Sequence, residues 1–154
     1  MNTIREQMST DVCSFRKPVV DLITTRTVAE TESGTLFLLN LAAGFTVTLP
    51  ASATPGTFFD FMVETTLTSG NYIIVTAVGT ELLVGAIVGC DTDDNATKQW
   101  PALVGSSYVK VSMNKTTTGG IMGDSFRFTK INATTWLCNG HVNNNGTVAT
   151  PFST

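Results

Sequence analysis

The chain has 154 residues, of which 42% are hydrophobic and 14% charged, and its net charge is −3 with a pI of about 4.9. One domain is expected, because a chain of this length buries roughly 70% of the surface that its unfolded form exposes. The acidic balance argues against binding to nucleic acid through phosphate contacts, and no apolar run approaches the ~18 residues of a membrane span. The N-terminus lacks an apolar leader, so we expect synthesis and initial retention in a cytosol.

Residues 1–28 predict an N-terminal arm followed by a first strand. The segment Met1–Lys17 is polar and lacks an apolar stripe long enough to anchor a helix, so we expect it to order against a neighbouring protein. Pro18 ends the arm, and the β-branched run Val19–Val28 is typical of a strand. The basic residues of the arm are the candidates for contact with the neighbour, namely Arg5, Arg16 and Lys17.

Two apolar-rich runs in residues 35–49 predict a β-hairpin. Thr35–Leu41 and Phe45–Leu49 flank a short connection that ends in a glycine, and glycine tolerates the positive φ that tight hairpin turns require. The second run alternates apolar residues with threonine, which is typical of a half-buried strand. The proline-containing break Pro50–Gly56 ends it, and Phe58–Val63 predicts the next strand.

Further short runs continue this pattern. The polar segment Asp91–Val104 predicts a loop, and His141–Thr154 predicts a polar C-terminal tail. Residues 29–140 are expected to form an all-β domain, a single antiparallel sandwich or barrel of about eight short strands. The later predicted strands, separated by turns rich in glycine and asparagine, lie in 72–77, 82–90, 108–113, 125–131 and 134–140.

The predicted loop begins like a calcium-binding loop. Asp91, Asp93 and Asn95 alternate as the oxygen ligands of an EF-hand do. The pattern then fails, because Ala96 occupies the position of the turn glycine and Ala102 that of the bidentate glutamate. A solvated acidic loop is the preferred interpretation, with a weak ion site left open, and no metal site or cofactor is expected.

The histidine and the cysteines predict no catalytic or zinc site. His141 is the single histidine and adjoins the predicted tail, and no Gly-x-Ser-x-Gly elbow accompanies it, so we expect a surface or interface position. Cys13, Cys90 and Cys138 are widely spaced and form no Cys-x-x-Cys pair, unlike the ligands of a zinc site. Free, mostly structural thiols are expected.

Paired carboxylates and one tryptophan complete the candidates. Glu30 and Glu32 are predicted to share one strand face, and so are Asp60 and Glu64. Paired carboxylates can hydrolyse glycosides. No aromatic platform for a sugar lies nearby, so these carboxylates are interpreted as solvent-facing charges. We therefore expect the protein not to be an enzyme. Trp100 lies in the predicted loop and is the candidate for an exposed interface anchor.

Four segments give the chain a resemblance to small β-domain structural proteins of tailed bacteriophages, in particular capsid decoration (cement) proteins of marine and cyanobacterial phages. The segments are SGTLFLLNLAAGFTVTLP, PGTFFDFMV, SGNYIIVT and GDSFRFTKINATTWLCNG. They consist of strands and turns without catalytic residues. Similar sheet patterns occur in tail-fibre and receptor-binding modules, so the resemblance does not specify one position in the virion.

The resemblance implies a non-enzymatic virion protein on the outer surface of the capsid. Proteins of this family sit as trimers at three-fold positions, where they tie neighbouring major capsid proteins together. The contacts with the capsid or with a partner copy are assigned on this basis to Arg5, Arg16, Lys17 and Trp100. Neither nucleic acid nor a membrane is an expected partner. The alternative is a tail-fibre or receptor-binding module that attaches to host-surface glycans.

Overall fold

The structure, a computed structural model, describes residues 16–154, and the structural statements below refer to that part of the chain. It contains one short 3-10 helix at Glu30–Glu32. All other regular elements are strands, which confirms the predicted all-β class. The strands are β1 (Val19–Leu22), β2 (Arg26–Thr27), β3 (Leu36–Leu39), β4 (Phe45–Thr48), β5 (Phe58–Val63), β6 (Tyr72–Val75), β7 (Leu82–Asp91), β8 (Thr97–Ala102), β9 (Lys110–Met113), β10 (Ser125–Asn132), β11 (Thr135–Asn144) and β12 (Phe152–Ser153).

These strands form two sheets that pack face to face as a sandwich. The large sheet has seven strands in the order β1-β3-β5-β10-β11-β7-β8, and the small sheet has five in the order β12-β9-β6-β4-β2. Arg26 of the small sheet places its Cζ 5.7 Å from the ring centroid of Phe37 in the large sheet. The predicted number of about eight strands is too low, and the predicted antiparallel pairing is wrong in part, because both sheets are mixed.

The first six strands alternate between the two sheets. In the large sheet β1, β3 and β5 are parallel neighbours, and in the small sheet so are β2, β4 and β6. Parallel neighbours need a crossover, and here each crossover passes through the opposite sheet. The predicted hairpin is therefore wrong, because Ala42–Gly44 carries the chain from β3 in one sheet to β4 in the other. A Cβ on Gly44 would lie 2.3 Å from the carbonyl oxygen of Asn71, so this crossover requires glycine.

The last six strands complete both sheets, mainly through antiparallel pairs. Three segments were assigned incorrectly from the sequence, one near the start of the described chain and two in its second half. The run Val19–Val28 is divided between β1 and β2, the segment Asp91–Val104 contains β8, and His141–Thr154 contains the end of β11 and all of β12. The sequence of β8, an edge strand whose side chains are mostly exposed, is polar and therefore resembles a loop.

The hydrophobic core lies between the sheets and follows the alternation of each strand. Its largest wholly buried side chains are aromatic, and Phe61 packs edge to face on Phe128 with ring centroids 5.7 Å apart. Each such side chain contributes roughly 1.5–3 kcal/mol through burial. The outer face of the large sheet is left without a covering layer in residues 16–154.

One ion pair is enclosed in this core. Lys130 on β10 is wholly buried, and its Nζ lies 2.7 Å from Oε1 of Glu81. The Trp136 Nε1–H donates to Oε2 of Glu81 at 3.1 Å, and the Ser52 N–H donates to Oε1 at 3.2 Å. The ammonium forms no hydrogen bond of good geometry and is held by charge, 5.0 Å from the centre of the Trp136 ring. Glu81, Lys130 and Trp136 are called the inner ionic cluster below.

Candidate functional site

The pairing of β5, β10 and β11 aligns polar side chains in a strip on the outer face of the large sheet. Asp60 on β5 pairs with Arg127 on β10, and Arg127 pairs in turn with Asn139 on β11. Two residues away along the strands, Ser125 on β10 pairs with His141 on β11. Paired residues on neighbouring strands project to the same face, so the five side chains are adjacent. They line a groove of about 450 Å³.

An ionic cluster lies at one end of this groove. Arg127 donates from Nε to Oδ1 of Asp60 at 2.7 Å and from Nη2 to Oδ2 at 3.0 Å, and Lys17 forms a further ion pair with Oδ2. The guanidinium also lies over the Phe58 ring, with Cζ 5.2 Å from its centroid. The carboxylate is therefore neutralised on several sides. Asp60, Arg127 and Lys17 are called the groove ionic cluster below.

The pKa of Asp60 reflects two opposing effects. Burial of the carboxyl group by itself raises the pKa, because it disfavours the charged form. Hydrogen bonds and charges from Arg127 and Lys17 outweigh burial, and the pKa is lowered. Asp60 is thus ionised near neutral pH, and the expectation that it is a free, solvent-facing charge is wrong.

The other end of the groove carries a thiol and an imidazole in contact. His141 on β11 lines the groove, and its Nε2 lies 3.4 Å from Sγ of Cys90 on β7. The thiol is half-buried, whereas the imidazole is exposed. The expected surface position of His141 is confirmed, but its contact with Cys90 was not predicted, because 51 residues separate the two.

Apolar side chains surround the polar strip on the same face. Met62 on β5 is 38% exposed, and Val19 on β1 is 57% exposed. An apolar surface with few charges is typical of a protein contact. Half-buried apolar side chains continue this surface across the sheet, namely Leu36, Leu38, Val84, Val88 and Leu137.

The structure separates the predicted contact residues. Lys17 joins the groove ionic cluster, and Arg16 beside it is exposed. Arg5 lies outside the described residues. Trp100 is on β8, at the opposite edge of the large sheet from β1, and is partly buried against the core. Its ring packs on Gly89, where a Cβ would lie 2.4 Å from the ring, so the expectation of an exposed loop residue is wrong.

The acidic loop after β7 is a turn tied to the end of β11. Oδ1 of Asp91 accepts a hydrogen bond from the Asp93 N–H at 3.0 Å, and Oδ2 of Asp93 accepts one from the Gly146 N–H at 2.7 Å. Asp91 itself is buried, so the predicted solvated loop is correct only for the residues that follow it. Within residues 16–154, no group of three or more histidine, cysteine, aspartate or glutamate side chains is arranged to hold a metal ion.

The predicted carboxylate pair at the start of the domain is not on a strand. Glu30 and Glu32 lie in the 3-10 helix, where their side chains accept hydrogen bonds from backbone N–H groups. Glu30 accepts from Thr54 at 2.8 Å, and Glu32 accepts from Ala29 at 2.8 Å while pairing with Arg26. These carboxylates stabilise the crossover between β2 and β3, which a strand assignment cannot explain.

No protein-family model matches this chain, and no curated protein matches it. Among the described residues, the helices include none that is both long enough and apolar enough to cross a membrane. The fold and the surface define an all-β sandwich of two mixed sheets, with a polar groove set in an apolar outer face.

Proposed function

We propose that this protein is a non-enzymatic structural protein of a phage virion, namely a decoration protein that binds the outside of the capsid as a trimer. The observation that carries the proposal is the outer face of the large sheet, where apolar side chains surround a groove whose carboxylate is already neutralised. Burial of such a face against a protein partner is favourable, because it removes apolar surface from water. The sequence resemblance supports the major capsid protein as that partner.

The function would be mechanical. A shell that holds packaged DNA under pressure fails when its capsomers separate. A clamp that buries on the order of 1,000 Å² or more against each neighbour raises the energy of that separation, because it binds only the assembled shell. The low charge of the chain, 14% of residues, favours burial of large surface areas without unpaired ions.

Two exposed methionines give a matched test of the docking face. Met62 lies on the outer face of the large sheet and Met122 lies in the loop before β10. We expect Met62→Arg to weaken binding to purified expanded capsids by about tenfold or more, and Met122→Arg to leave it unchanged, because only the first places a charge in the contact. Cosedimentation with capsids measures both. Equal binding of the two variants would refute the outer face as the docking surface.

The arm is tested separately. The described chain begins beside the groove, because Lys17 pairs with Asp60, and residues 1–15 precede that point. We propose that residues 1–15, which include Arg5, extend the contact onto the capsid. Deletion of 1–15 keeps the Lys17 pair and is expected to abolish capsid binding while leaving the thermal unfolding temperature unchanged. Full binding by this truncated chain would show that the arm has no such role.

The groove itself supports a second candidate function, a receptor-binding module for host-surface glycans. Its hydroxyl, amide and guanidinium groups are those that bind sugar hydroxyls, and they come from Ser125, Asn139 and Arg127. Glycan binding by the purified protein, together with a low copy number in the virion, would favour this function. Capsid binding with a high copy number would favour decoration.

A further inference from the structure

Cys90 and His141 form a contact that has no role in either capsid decoration or glycan binding. Their strands are parallel neighbours, with Cys90 paired to Asn143 and His141 paired to Val88, so both side chains project from the outer face. The Sγ to Nε2 distance of 3.4 Å is a sulfur hydrogen-bond distance. The pair therefore joins the one histidine of the chain to a thiol that solvent can reach.

We propose that Cys90 is a nucleophilic thiol, with His141 as the acceptor of its proton, and that it is a site of covalent modification by small disulfides. The thiolate and not the thiol attacks a disulfide, and a neighbouring imidazole that takes up the proton increases the thiolate fraction at neutral pH. This proposal does not depend on the proposed function.

The reaction balances with one co-reactant, a small disulfide such as oxidised glutathione. The Cys90 proton passes to Nε2 of His141, and the thiolate attacks one sulfur of the disulfide. The disulfide's S–S bond breaks as the new S–S bond forms, so the products are a mixed disulfide on Cys90 and one thiolate. That leaving thiolate takes up the proton from His141, and no further oxidant or reductant is required.

The pair lies on an open face where the nearby charged groups balance. His141 faces Ser125 on one side and Val88 on the other, and Cys90 faces Thr97 of β8 across its second edge. The titratable and charged groups on this face, or beside it, are Arg127, Asp60 and Lys17 in the groove, Lys98 on β8, and Asp93 and Asp94 in the following turn.

The chain supplies its own control. Cys138 is wholly buried on the inner face of β11, and burial raises the pKa of its thiol far above the usual range. It is therefore expected to stay unmodified in the folded protein. A Cys13→Ser background removes the third cysteine, which lies outside the described residues.

The experiment follows mixed-disulfide formation at each cysteine by peptide mass mapping of the folded chain in oxidised glutathione. At about pH 7 we expect Cys90 to react, Cys138 to stay free, and His141→Gln to slow the reaction of Cys90 by about tenfold or more. At about pH 9.5 the two rates should converge, because hydroxide then removes the thiol proton without help from the imidazole. Met122→Ala, in the exposed loop before β10 and away from the pair, should leave the rate unchanged.

Two results would overturn the proposal. One is a rate for Cys90 no higher than that of a free thiol such as reduced glutathione at the same pH. The other is a His141→Gln chain that reacts at the original rate near pH 7. Since His141 is exposed, its replacement is expected to leave the fold intact, and thermal unfolding checks this. The pH dependence of the unsubstituted chain gives an independent readout, with a rate already high near neutrality if the pair transfers its proton.

Discussion

Within residues 16–154, the inner and the groove ionic clusters both pair a carboxylate with a cation, and they differ chiefly in their access to water. In the inner ionic cluster the side chains of Lys130 and Glu81 are 0% and 4% exposed. In the groove ionic cluster the exposures are 13% for Asp60, 51% for Arg127 and 46% for Lys17. Similar chemistry therefore serves two purposes, since the inner pair is a component of the core and the groove cluster is a surface feature.

The difference predicts very different costs of breaking each cluster. A buried charge that loses its partner cannot recover its hydration, so the penalty falls on the ion that remains. An exposed cation that loses its partner is hydrated instead, at little cost in free energy. Single substitutions at the carboxylates therefore distinguish the clusters.

The largest effect is expected from Glu81→Gln. It leaves the Lys130 ammonium buried without a counter-ion and should lower the free energy of unfolding by about 3–5 kcal/mol. Urea denaturation measures the loss. The matched control is Glu32→Gln, which breaks the more exposed pair with Arg26 and should cost less than about 1 kcal/mol.

A double replacement sharpens this prediction. Glu81→Leu with Lys130→Met removes both charges together and should cost less than Glu81→Gln alone, because no unpaired ion remains in the core. If the double variant were instead the less stable of the two, the ion pair would stabilise the fold by more than apolar packing at the same positions does.

The next largest effect is expected at acid pH, where protonation of Glu81 should lower the free energy of unfolding. Burial raises the pKa of Glu81, but the charge contact with Lys130 and the N–H donors of Trp136 and Ser52 outweigh it, and the pKa is lowered. A lowered folded-state pKa contributes stability that is present above the unfolded value of about 4.3 and is lost as pH falls through the folded value.

The measurement compares the unsubstituted chain with the Leu–Met double variant by urea denaturation between about pH 6 and pH 3. The stability of the unsubstituted chain should fall more steeply over this range, because only that chain retains the Glu81 carboxyl group. Parallel pH profiles for the two chains would contradict the lowered pKa.

Breaking the groove cluster should have a smaller effect. Asp60→Asn removes the acceptor shared by Arg127 and Lys17 and should cost about 1 kcal/mol, since Arg127 is half exposed and can be hydrated. A double-mutant cycle with Arg127→Gln by urea denaturation isolates the pair. A cost as large as that of Glu81→Gln would show that the two clusters do not differ in the way described.

The smallest effect is expected from Lys17→Ala. The Lys17 ammonium is nearly half exposed, and its loss should change the free energy of unfolding by less than about 0.5 kcal/mol. Thermal unfolding at low and high salt checks this, since the small contribution should fall further at high salt. A change above 1 kcal/mol would assign Lys17 a structural role.

Lys130 shows what the sequence could and could not predict. Simple alternation along β10 places Lys130 on the inner face with Phe126 and Phe128, opposite Trp136. Alternation alone is weak evidence here, because a lysine is seldom buried. The missing information was Glu81, a distant residue whose approach depends on tertiary structure.

The strands themselves were predictable, but their partners were not. Alternating apolar residues and breaks at glycine and proline located β3, β4, β5 and β6 well. The same strand–turn–strand pattern can produce a hairpin or a crossing to the opposite sheet, and local residues do not distinguish the two. The Cys90 and His141 contact was hidden for a related reason, because it depends on the parallel pairing of β7 with β11.

The order of strands in the sheets has a further consequence for solubility. In residues 16–154 each sheet edge carries a feature that hinders the addition of a strand from another molecule. Pro101 removes a backbone donor within β8, Pro18 and Pro151 immediately precede β1 and β12, and β2 is only two residues long. Growth of fibrils through backbone pairing is thereby discouraged, and copies of this protein can be concentrated on a surface while associating only through their side chains.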